Sequence, residues 1–250
     1  MYTSIAAYHF VAIDDPPALA ARVRVLAGDH GLLGTVLVAG EGINLFLAGG
    51  GDGIEAFLAL LRGDLRLAGI QVKYSRSDTL PFARLKVKVK AEIISFRRDG
   101  VSPLEARAPG VSPADLARWI EQGADDQGRP LVLLDTRNRE EVAHGSFAGA
   151  LTLPIDNFTD FPAALAPHRD ALAEATVVGF CTGGIRCEKA VNWMRGEGFT
   201  HALQLDGGIL GYFEAVGGTG YEGRCFVFDE RVALDPELRA AADGALAPAA

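Results

Sequence analysis

An apolar run that stops at a cysteine constrains the fold of this chain more than any other feature. Val177, Val178 and Phe180 precede Cys181 with no charged residue between them, which is typical of a strand buried on both faces of a parallel sheet. A glycine-rich turn follows, and a helical pattern begins near Arg186. Because parallel sheets bind ligands at the carboxyl ends of their strands, Cys181 falls where a binding or reaction site is expected.

The pattern on either side of Cys181 alternates helices with short apolar strands, which predicts an α/β fold with a parallel sheet flanked by helices. The expected strands are 131–135, 150–153, 176–181 and 202–205. The expected helices are 113–121, 138–143, 161–172, 186–197 and one that begins at Ile209.

The first hundred residues have a different order. We expect strands at 5–13, 34–38, 43–47, 70–74 and 85–96, with one helix opened by Pro16 and Pro17 and another at 53–61. The order strand-helix-strand-strand-helix-strand, with an extra strand portion, predicts a ferredoxin-like open sheet of the α+β class.

Proline and glycine are concentrated at 102–110, which indicates a domain boundary. We therefore predict a ferredoxin-like domain at 1–100, a linker at 101–111, a second domain at 112–228 and a C-terminal tail at 229–250. Within that tail, the alanine-rich stretch 234–250 predicts a helical turn or two that frays.

Composition excludes several classes of protein. The net charge of −8 argues against a chain that binds nucleic acid over its whole surface. Three cysteines with no CxxC pair exclude a disulfide framework and a structural zinc site, and the five scattered histidines predict no metal centre. No apolar run approaches the roughly 20 residues that cross a bilayer, and no signal peptide is evident. We expect a cytoplasmic protein.

The loop after the strand is suited to hold a sulfur anion. Gly183 and Gly184 allow backbone angles that turn consecutive N–H groups inward, and the following helix directs its positive end to the same place. The guanidinium of Arg186 adds charge. These effects lower the pKa of a cysteine from about 8.5, so we predict Cys181 as the catalytic thiolate. The predicted active-site loop is Thr182, Gly183, Gly184, Ile185 and Arg186.

The other two cysteines are weaker candidates. Cys187 lies six positions after Cys181, where it is either a resolving thiol or a small residue packed in the first helical turn. Cys225 stands beside Phe226 and Phe228 in an apolar strand pattern, so a structural role is expected.

A basic stretch between 73 and 98 is the one local exception to the acidic balance. Lys86, Lys88 and Lys90 alternate with valines, which on a strand places their ammonium groups on one face. Such a row suits a phosphate backbone, although lysines also protect strand edges against aggregation. The candidate nucleic-acid-binding residues are Lys73, Arg84, Lys86, Lys88 and Lys90, with Tyr74 or Phe82 as base-stacking rings.

Four ordered motifs resemble the rhodanese superfamily. They are DTR at 135–137 followed by EE at 140–141, HGSFAGA at 144–150 with Pro154, the CTGGIR loop at 181–186, and LDGG at 205–208. The resemblance implies that 112–228 is a rhodanese-like catalytic domain and that Asp135, Arg137 and Cys187 support the loop.

Three blocks across both domains resemble more narrowly the bacterial rhodanese-domain tRNA uridine hydroxylases. They are GEGIN at 40–44, CTGGIRCEK at 181–189 and CFVFDER at 225–231. The chain departs from that family by Leu45-Phe46, where small residues are expected, and by lacking the cysteine-rich C-terminal extension of longer members.

That resemblance implies an oxidoreductase that modifies tRNA by oxygen-dependent hydroxylation of the wobble uridine to 5-hydroxyuridine. Cys181 is then the essential cysteine, tRNA the partner and molecular oxygen the co-substrate, with no other cofactor evident in the sequence. Two alternatives stay open at this point. They are a sulfurtransferase that carries a Cys181 persulfide and a non-catalytic RNA-binding scaffold.

Overall fold

The computed structural model describes residues 1–240, which fall into two compact units. The first contains Met1–Ser95 and Phe228–Val232, and the second contains Phe96–Val227 and the chain from Ala233. These boundaries differ from the predicted 1–100, 101–111, 112–228 and 229–250. The expected linker lies inside the second unit because Gly110–Val111 pairs as a strand, and the expected tail begins by returning to the first unit.

The first unit is an open sheet with two helices. Its elements are β1 (Tyr2–Phe10), α1 (Pro16–Asp29), β2 (Leu33–Ala39), β3 (Gly42–Gly49), α2 (Gly51–Arg62), β4 (Gln71–Ser77) and β5 (Leu85–Val89). The strand order is β4-β1-β3-β2-β5, in which β5 runs parallel to β2 and the other pairs are antiparallel. This is the predicted ferredoxin-like arrangement with an added edge strand.

Alternation along the strands separates a buried face from an open one. Ile5, Val36, Leu45 and Val87 point into one core with Val23 of α1 and other helix residues. The residues that alternate with them face the other side of the sheet. Because both helices cover the buried face, the open face carries no helix of this unit.

The strand predicted at 85–96 ends at Val89, so the prediction is wrong for 90–96. Two side chains of the GEGIN block explain the difference. The N–H of Ile93 donates to the Glu41 carboxylate at 2.7 Å, and its carbonyl accepts from the Asn44 amide at 3.2 Å. Both backbone groups of Ile93 are therefore satisfied by side chains, and the segment leaves the strand ladder.

The second unit contains a parallel sheet between helices. Its elements are β6 (Gly110–Val111), α3 (Pro113–Gln122), β7 (Leu131–Asp135), α4 (Arg139–Val142), β8 (Gly145–Phe147), β9 (Leu151–Thr152), α5 (Phe161–Leu165), α6 (Arg169–Leu172), β10 (Thr176–Phe180), α7 (Ile185–Gly196), β11 (Ala202–Leu205), α8 (Gly208–Val216), β12 (Tyr221–Gly223), β13 (Cys225–Phe226) and β14 (Ala233–Leu234). The sheet order is β6-β11-β10-β7-β9. Every pair of neighbouring strands in this sheet is parallel, so all five strands end at the same edge. β10 is the central strand, and it ends where the α/β pattern predicted the site.

Two predicted elements of this unit are corrected. The single helix 161–172 is two short helices joined by a 3-10 turn at Ala166–His168, because Pro167 has no N–H to donate within a continuous helix. The helical start expected at 234 is instead the strand β14, which pairs with β13. Residues 241–250 of the expected tail lie outside the described residues.

Candidate active site at the cysteine loop

Cys181 follows β10 directly, and the loop backbone turns toward its sulfur. The N–H of Gly184 donates to Cys181 Sγ at 3.2 Å, and the N–H of Arg186 donates to the same atom. Gly184 precedes α7 with a φ of 100°, a left-handed conformation that favours glycine. The predicted amide nest around the sulfur is therefore present, at the amino end of a 12-residue helix.

The amino end of α8 holds the loop from behind, a contact that sequence reasoning missed. Ile209 N–H donates to the Cys181 carbonyl at 2.9 Å, and Leu210 N–H donates to the Thr182 carbonyl at 3.0 Å. Gly208 has a φ of 62°, and an added Cβ would lie 2.5 Å from the Cys181 carbonyl oxygen. The LDGG motif marked this glycine, but only the fold shows that it contacts the loop.

Cys181 is only 1% exposed, yet its surroundings favour the anion. Burial raises the pKa of the thiol, but a hydrogen bond from Cys187, the charge of Arg186 and the N–H groups of Arg186 and Gly184 lower it by more. The result is a pKa of about 6. A sulfur with this pKa is largely thiolate at neutral pH, in agreement with the electrostatic argument from the sequence.

Cys187 lies against the Cys181 sulfur and stays protonated. Burial and the neighbouring Cys181 sulfur raise its pKa well above the ordinary value. Its own sulfur lies 3.6 Å from Thr136 Oγ1, and that hydroxyl is 3.0 Å from the Phe180 carbonyl oxygen. The Cys187 thiol is thus positioned to donate its proton in a hydrogen bond to the Cys181 thiolate.

The backbone N–H and the positive charge of Arg186 both stabilise the Cys181 thiolate. The guanidinium itself binds the Glu141 carboxylate. The two side chains form a bidentate pair with both distances 2.7 Å and exposures of 6% and 3%. Glu141 also accepts from Asn138 N–H at 3.1 Å as part of the α4 capping box. Sequence reasoning noted Glu141 within a motif but did not identify it as the partner of Arg186, which lies 45 positions away.

Asp135 and Arg137 form a second buried ion pair beside the loop. Asp135 ends β7 opposite Phe180 in the parallel register, and both charged side chains are fully buried. Arg137 Nη2 donates to Asp135 Oδ2 at 2.6 Å and to the Gly145 carbonyl at 2.7 Å. Ser146 Oγ donates to the same carboxylate oxygen at 2.8 Å. This network fixes the backbone at the carboxyl end of β7.

Cys225 is buried on the other side of the loop. Burial raises the pKa of its thiol to about 12, against the opposing effects of Arg137 and of a hydrogen bond with Thr182. Thr182 Oγ1 donates to the Phe226 carbonyl at 3.2 Å. Cys225 therefore stays a thiol that packs behind the loop, which fits the structural role expected for it.

The basic residues predicted to bind nucleic acid lie in the first unit, and they do not form one row on one strand. Lys86 and Lys88 share the open face of β5, whereas Lys90 follows the strand end and Arg84 precedes the strand start. Lys73 lies on β4, at the opposite edge of the sheet.

The rings proposed for base stacking are placed differently from that expectation. Tyr74 faces away from the open side, where it contacts Glu55. Phe82 stands between β4 and β5, outside both strands.

Metal and membrane features are absent over the described range. Within residues 1–240, no group of three or more histidine, cysteine or acidic side chains is arranged to hold a metal ion, and all three cysteines are free thiols. Nor does any helix in that part of the chain have the length and hydropathy required to traverse a bilayer.

The fold and the loop define the class of protein. Residues 2–93 match the model of the UPF0176 acylphosphatase like domain, and residues 112–215 match that of the rhodanese-like domain. The chain is thus a two-domain member of the rhodanese superfamily, with an acylphosphatase-like, that is ferredoxin-like, first domain.

Similar proteins narrow the class to one family. A tRNA uridine(34) hydroxylase of Xanthomonas euvesicatoria is 66% identical over 97% of this chain and 98% of its own length. One from Xylella fastidiosa is 63% identical over 94% of this chain and 91% of its own. The chain belongs to the tRNA uridine(34) hydroxylase family.

Solved structures resemble the two domains separately. The rhodanese-like domain of an Anabaena protein is 24% identical, with a TM-score of 0.37, and covers 46% of this chain and 79% of its own. An acylphosphatase from Bacillus subtilis is 15% identical, with a TM-score of 0.30, and covers 35% of this chain and 99% of its own. Likeness at these scores adds nothing to the family assignment.

Proposed function

We propose that this protein hydroxylates uridine 34 of tRNA to 5-hydroxyuridine and that Cys181 is the reacting group. The activity is supported by relatives of this name that match nearly the whole chain. One observation carries the assignment to Cys181, namely that its sulfur accepts hydrogen bonds from Gly184 N–H and from the Cys187 thiol. The enzyme is accordingly an oxidoreductase.

The chemistry begins with the nucleophilic thiolate. The C5 position of uracil is a poor nucleophile until a group adds to C6, after which the ring is an enolate with electron density at C5. Cys181 supplies that group, because a desolvated thiolate of low pKa is nucleophilic at neutral pH. Loss of the C5 proton and of the thiolate restores the aromatic ring once C5 carries oxygen.

Molecular oxygen is the proposed co-substrate. Replacing the C5 hydrogen by hydroxyl removes two electrons from the base. When one atom of molecular oxygen enters at C5, the other atom is reduced to water, and an external two-electron reductant such as a small-molecule thiol supplies the electrons for that reduction. Incubation under isotopically labelled oxygen gas tests this assignment, because the label then appears in the nucleoside. Label that enters only from labelled water would contradict it.

Residues around the loop have positioning roles in this proposal. Gly183 lies beside open space, since an added Cβ there meets nothing within 4 Å. Thr182 and Ile185 anchor the loop ends through buried side chains. Asp135 and Arg137 fix the neighbouring strand end. Cys187 stabilises the thiolate by donating a hydrogen bond.

The first unit supplies contacts to tRNA. The candidates are Lys73, Arg84, Lys86, Lys88 and Lys90, whose charges match the phosphate backbone. Because tRNA is the substrate, the protein acts in the cytoplasm.

Nucleoside mass spectrometry tests the proposed function. A strain deleted for this gene is expected to lose 5-hydroxyuridine and its derivatives from tRNA, and the wild-type chain to restore them. Cys181→Ser is expected to restore nothing, while Cys225→Ser, which alters a thiol that stays protonated, restores the nucleoside. Full restoration by Cys181→Ser would refute the role of this sulfur. Loss of a thiolated nucleoside instead would point to sulfur transfer.

A further inference from the structure

The open face of the first sheet brings together residues that are far apart in sequence. The backbone register aligns Lys73 with Ala6, Ala6 with Phe46, Phe46 with Thr35 and Thr35 with Lys86. These five residues form one row across the sheet, with a lysine at each end and a phenylalanine at the center. Four strand spacings separate the two lysines by about 19 Å.

The next row repeats part of this pattern. Register aligns Tyr8 with Asn44, Asn44 with Leu37 and Leu37 with Lys88. Among the strand residues on this side of the sheet that the structure describes, three are lysines and none is a carboxylate. The strand residues on this side are Tyr2, Ser4, Ala6, Tyr8, Phe10, Leu33, Thr35, Leu37, Ala39, Gly42, Asn44, Phe46, Ala48, Gln71, Lys73, Ser75, Ser77, Lys86 and Lys88. Ser4, Ala39, Gly42, Asn44 and Ala48 among them are buried, and the others are partly or fully exposed. In a chain of net charge −8, this face is locally positive.

A second ring is fixed beside Phe46 by the segment that returns from the second unit. The ring of Phe228 lies 5.6 Å from that of Phe46 at an interplanar angle of 52° and is 47% exposed. Arg231 donates to Ser75 Oγ at 2.7 Å and pairs with the Asp229 carboxylate at 2.5 Å. The Arg231 charge is therefore neutralised locally, while the segment is fixed to β4 and presents Phe228.

We propose that this face binds unpaired nucleotides of RNA, with bases stacking on Phe46 and Phe228 and phosphates bound by Lys73, Lys86 and Lys88. Aromatic rings on an open sheet, flanked by cations, recognise single-stranded RNA because every base offers a flat π surface and every nucleotide a negative charge. The inference rests on the proposed function in taking tRNA as the substrate. It adds the part of tRNA that is bound, a stretch of unpaired nucleotides, and the face that binds it.

Binding to two RNA probes tests the proposal on the full chain. One probe is an anticodon stem-loop with an unpaired loop, and the other is a duplex of equal length. Fluorescence anisotropy is expected to show that the wild type binds the stem-loop more tightly than the duplex. Phe46→Leu and Phe228→Ala are each expected to lower the affinity for the stem-loop roughly tenfold or more. Phe46→Tyr keeps an aromatic ring and is expected to restore binding, which separates loss of stacking from loss of folding.

Charge variants test the phosphate contacts. Lys86→Gln with Lys88→Gln is expected to lower the salt dependence of binding, by roughly 0.7 in the logarithmic slope for each lost contact. The matched control is Arg22→Gln, which removes a cation from α1 on the opposite side of the sheet and is expected to leave the slope unchanged. An equal effect in the control would refute a specific role for the open face.

Three outcomes overturn the proposal. Phe46→Leu and Phe228→Ala proteins that bind both probes like the wild type show that the rings do not stack on bases. Equal losses for stem-loop and duplex show recognition of charge alone. A change of oligomeric state in the ring variants with RNA binding intact shows that the face contacts a second copy. Each is distinct from failure of the proposed function, in which Cys181→Ser still hydroxylates tRNA.

Discussion

Gly208 lies so close to the backbone of Cys181 that position 208 has no room for a side chain. A Cβ at position 208 would lie 2.5 Å from the Cys181 carbonyl oxygen and 2.6 Å from Gly184 N, at a φ of 62°. The loop amides point at the sulfur partly because α8 binds the loop carbonyls from behind. The shape of the sulfur site therefore depends on Gly208, which lies 27 positions after Cys181 in the sequence.

Gly208→Ala is expected to abolish hydroxylation and to destabilise the protein by about 1–3 kcal/mol, because either the loop or α8 must shift. Denaturant unfolding and nucleoside mass spectrometry measure the two effects. Gly183→Ala is the matched control for stability, since a Cβ there meets nothing within 4 Å, and we expect a change below about 1 kcal/mol. Equal destabilisation by the two substitutions would contradict the argument from close approach.

Ionisation of Cys181 is expected to make stability depend on pH. The folded pKa of about 6 lies below the ordinary value of about 8.5, so between these values the unfolded chain binds more protons than the folded one. The stabilising contribution is complete above about 8.5 and is lost as pH falls through about 6. Unfolding free energies of wild type and Cys181→Ser, measured across this range, should therefore diverge as pH rises. A constant difference would show that the folded thiol has an ordinary pKa.

Cys187→Ala is expected to raise the pKa of Cys181 by removing a hydrogen-bond donor, while Cys187→Ser, which keeps a donor, is expected to raise it less. The ultraviolet absorbance of the thiolate, titrated against pH, reports this directly. The charge of Arg186, which lowers the pKa of both thiols, is unchanged in these variants. Cys225→Ala serves as the control cysteine. An unmoved titration in Cys187→Ala would restrict Cys187 to packing.

Glu141→Gln is expected to destabilise the protein by about 3–5 kcal/mol, because it leaves the buried Arg186 charge without its carboxylate. Asp156→Asn breaks an ion pair with Arg139 whose side chains are 67% and 62% exposed, and it is expected to change stability by less than about 1 kcal/mol. Denaturant unfolding of the two variants compares them directly. Similar losses in both would mean that burial does not distinguish the pairs.

Much of the architecture was predictable because its causes are local. Proline at the start of α1 and α3 predicted where those helices begin, and the expected strands 34–38 and 43–47 lie within β2 and β3. The expected continuation of β5 failed because two side chains of the GEGIN block bind the backbone of Ile93. A strand pattern in the sequence does not show that side chains from a distant segment bind the backbone groups that a neighbouring strand would otherwise bind.

The sequence alone determined that Cys181 stands at the end of a buried strand, before two glycines and a helix, because backbone freedom and helix polarity are encoded within a few residues. Only the tertiary structure decided which groups surround that sulfur and which residues share the open face of the first sheet. Cys187 and Gly208 approach Cys181, Glu141 pairs with Arg186, and Lys73 aligns with Lys86, through sheet register and helix packing. Such contacts depend on how distant segments pack, and no local pattern specifies them.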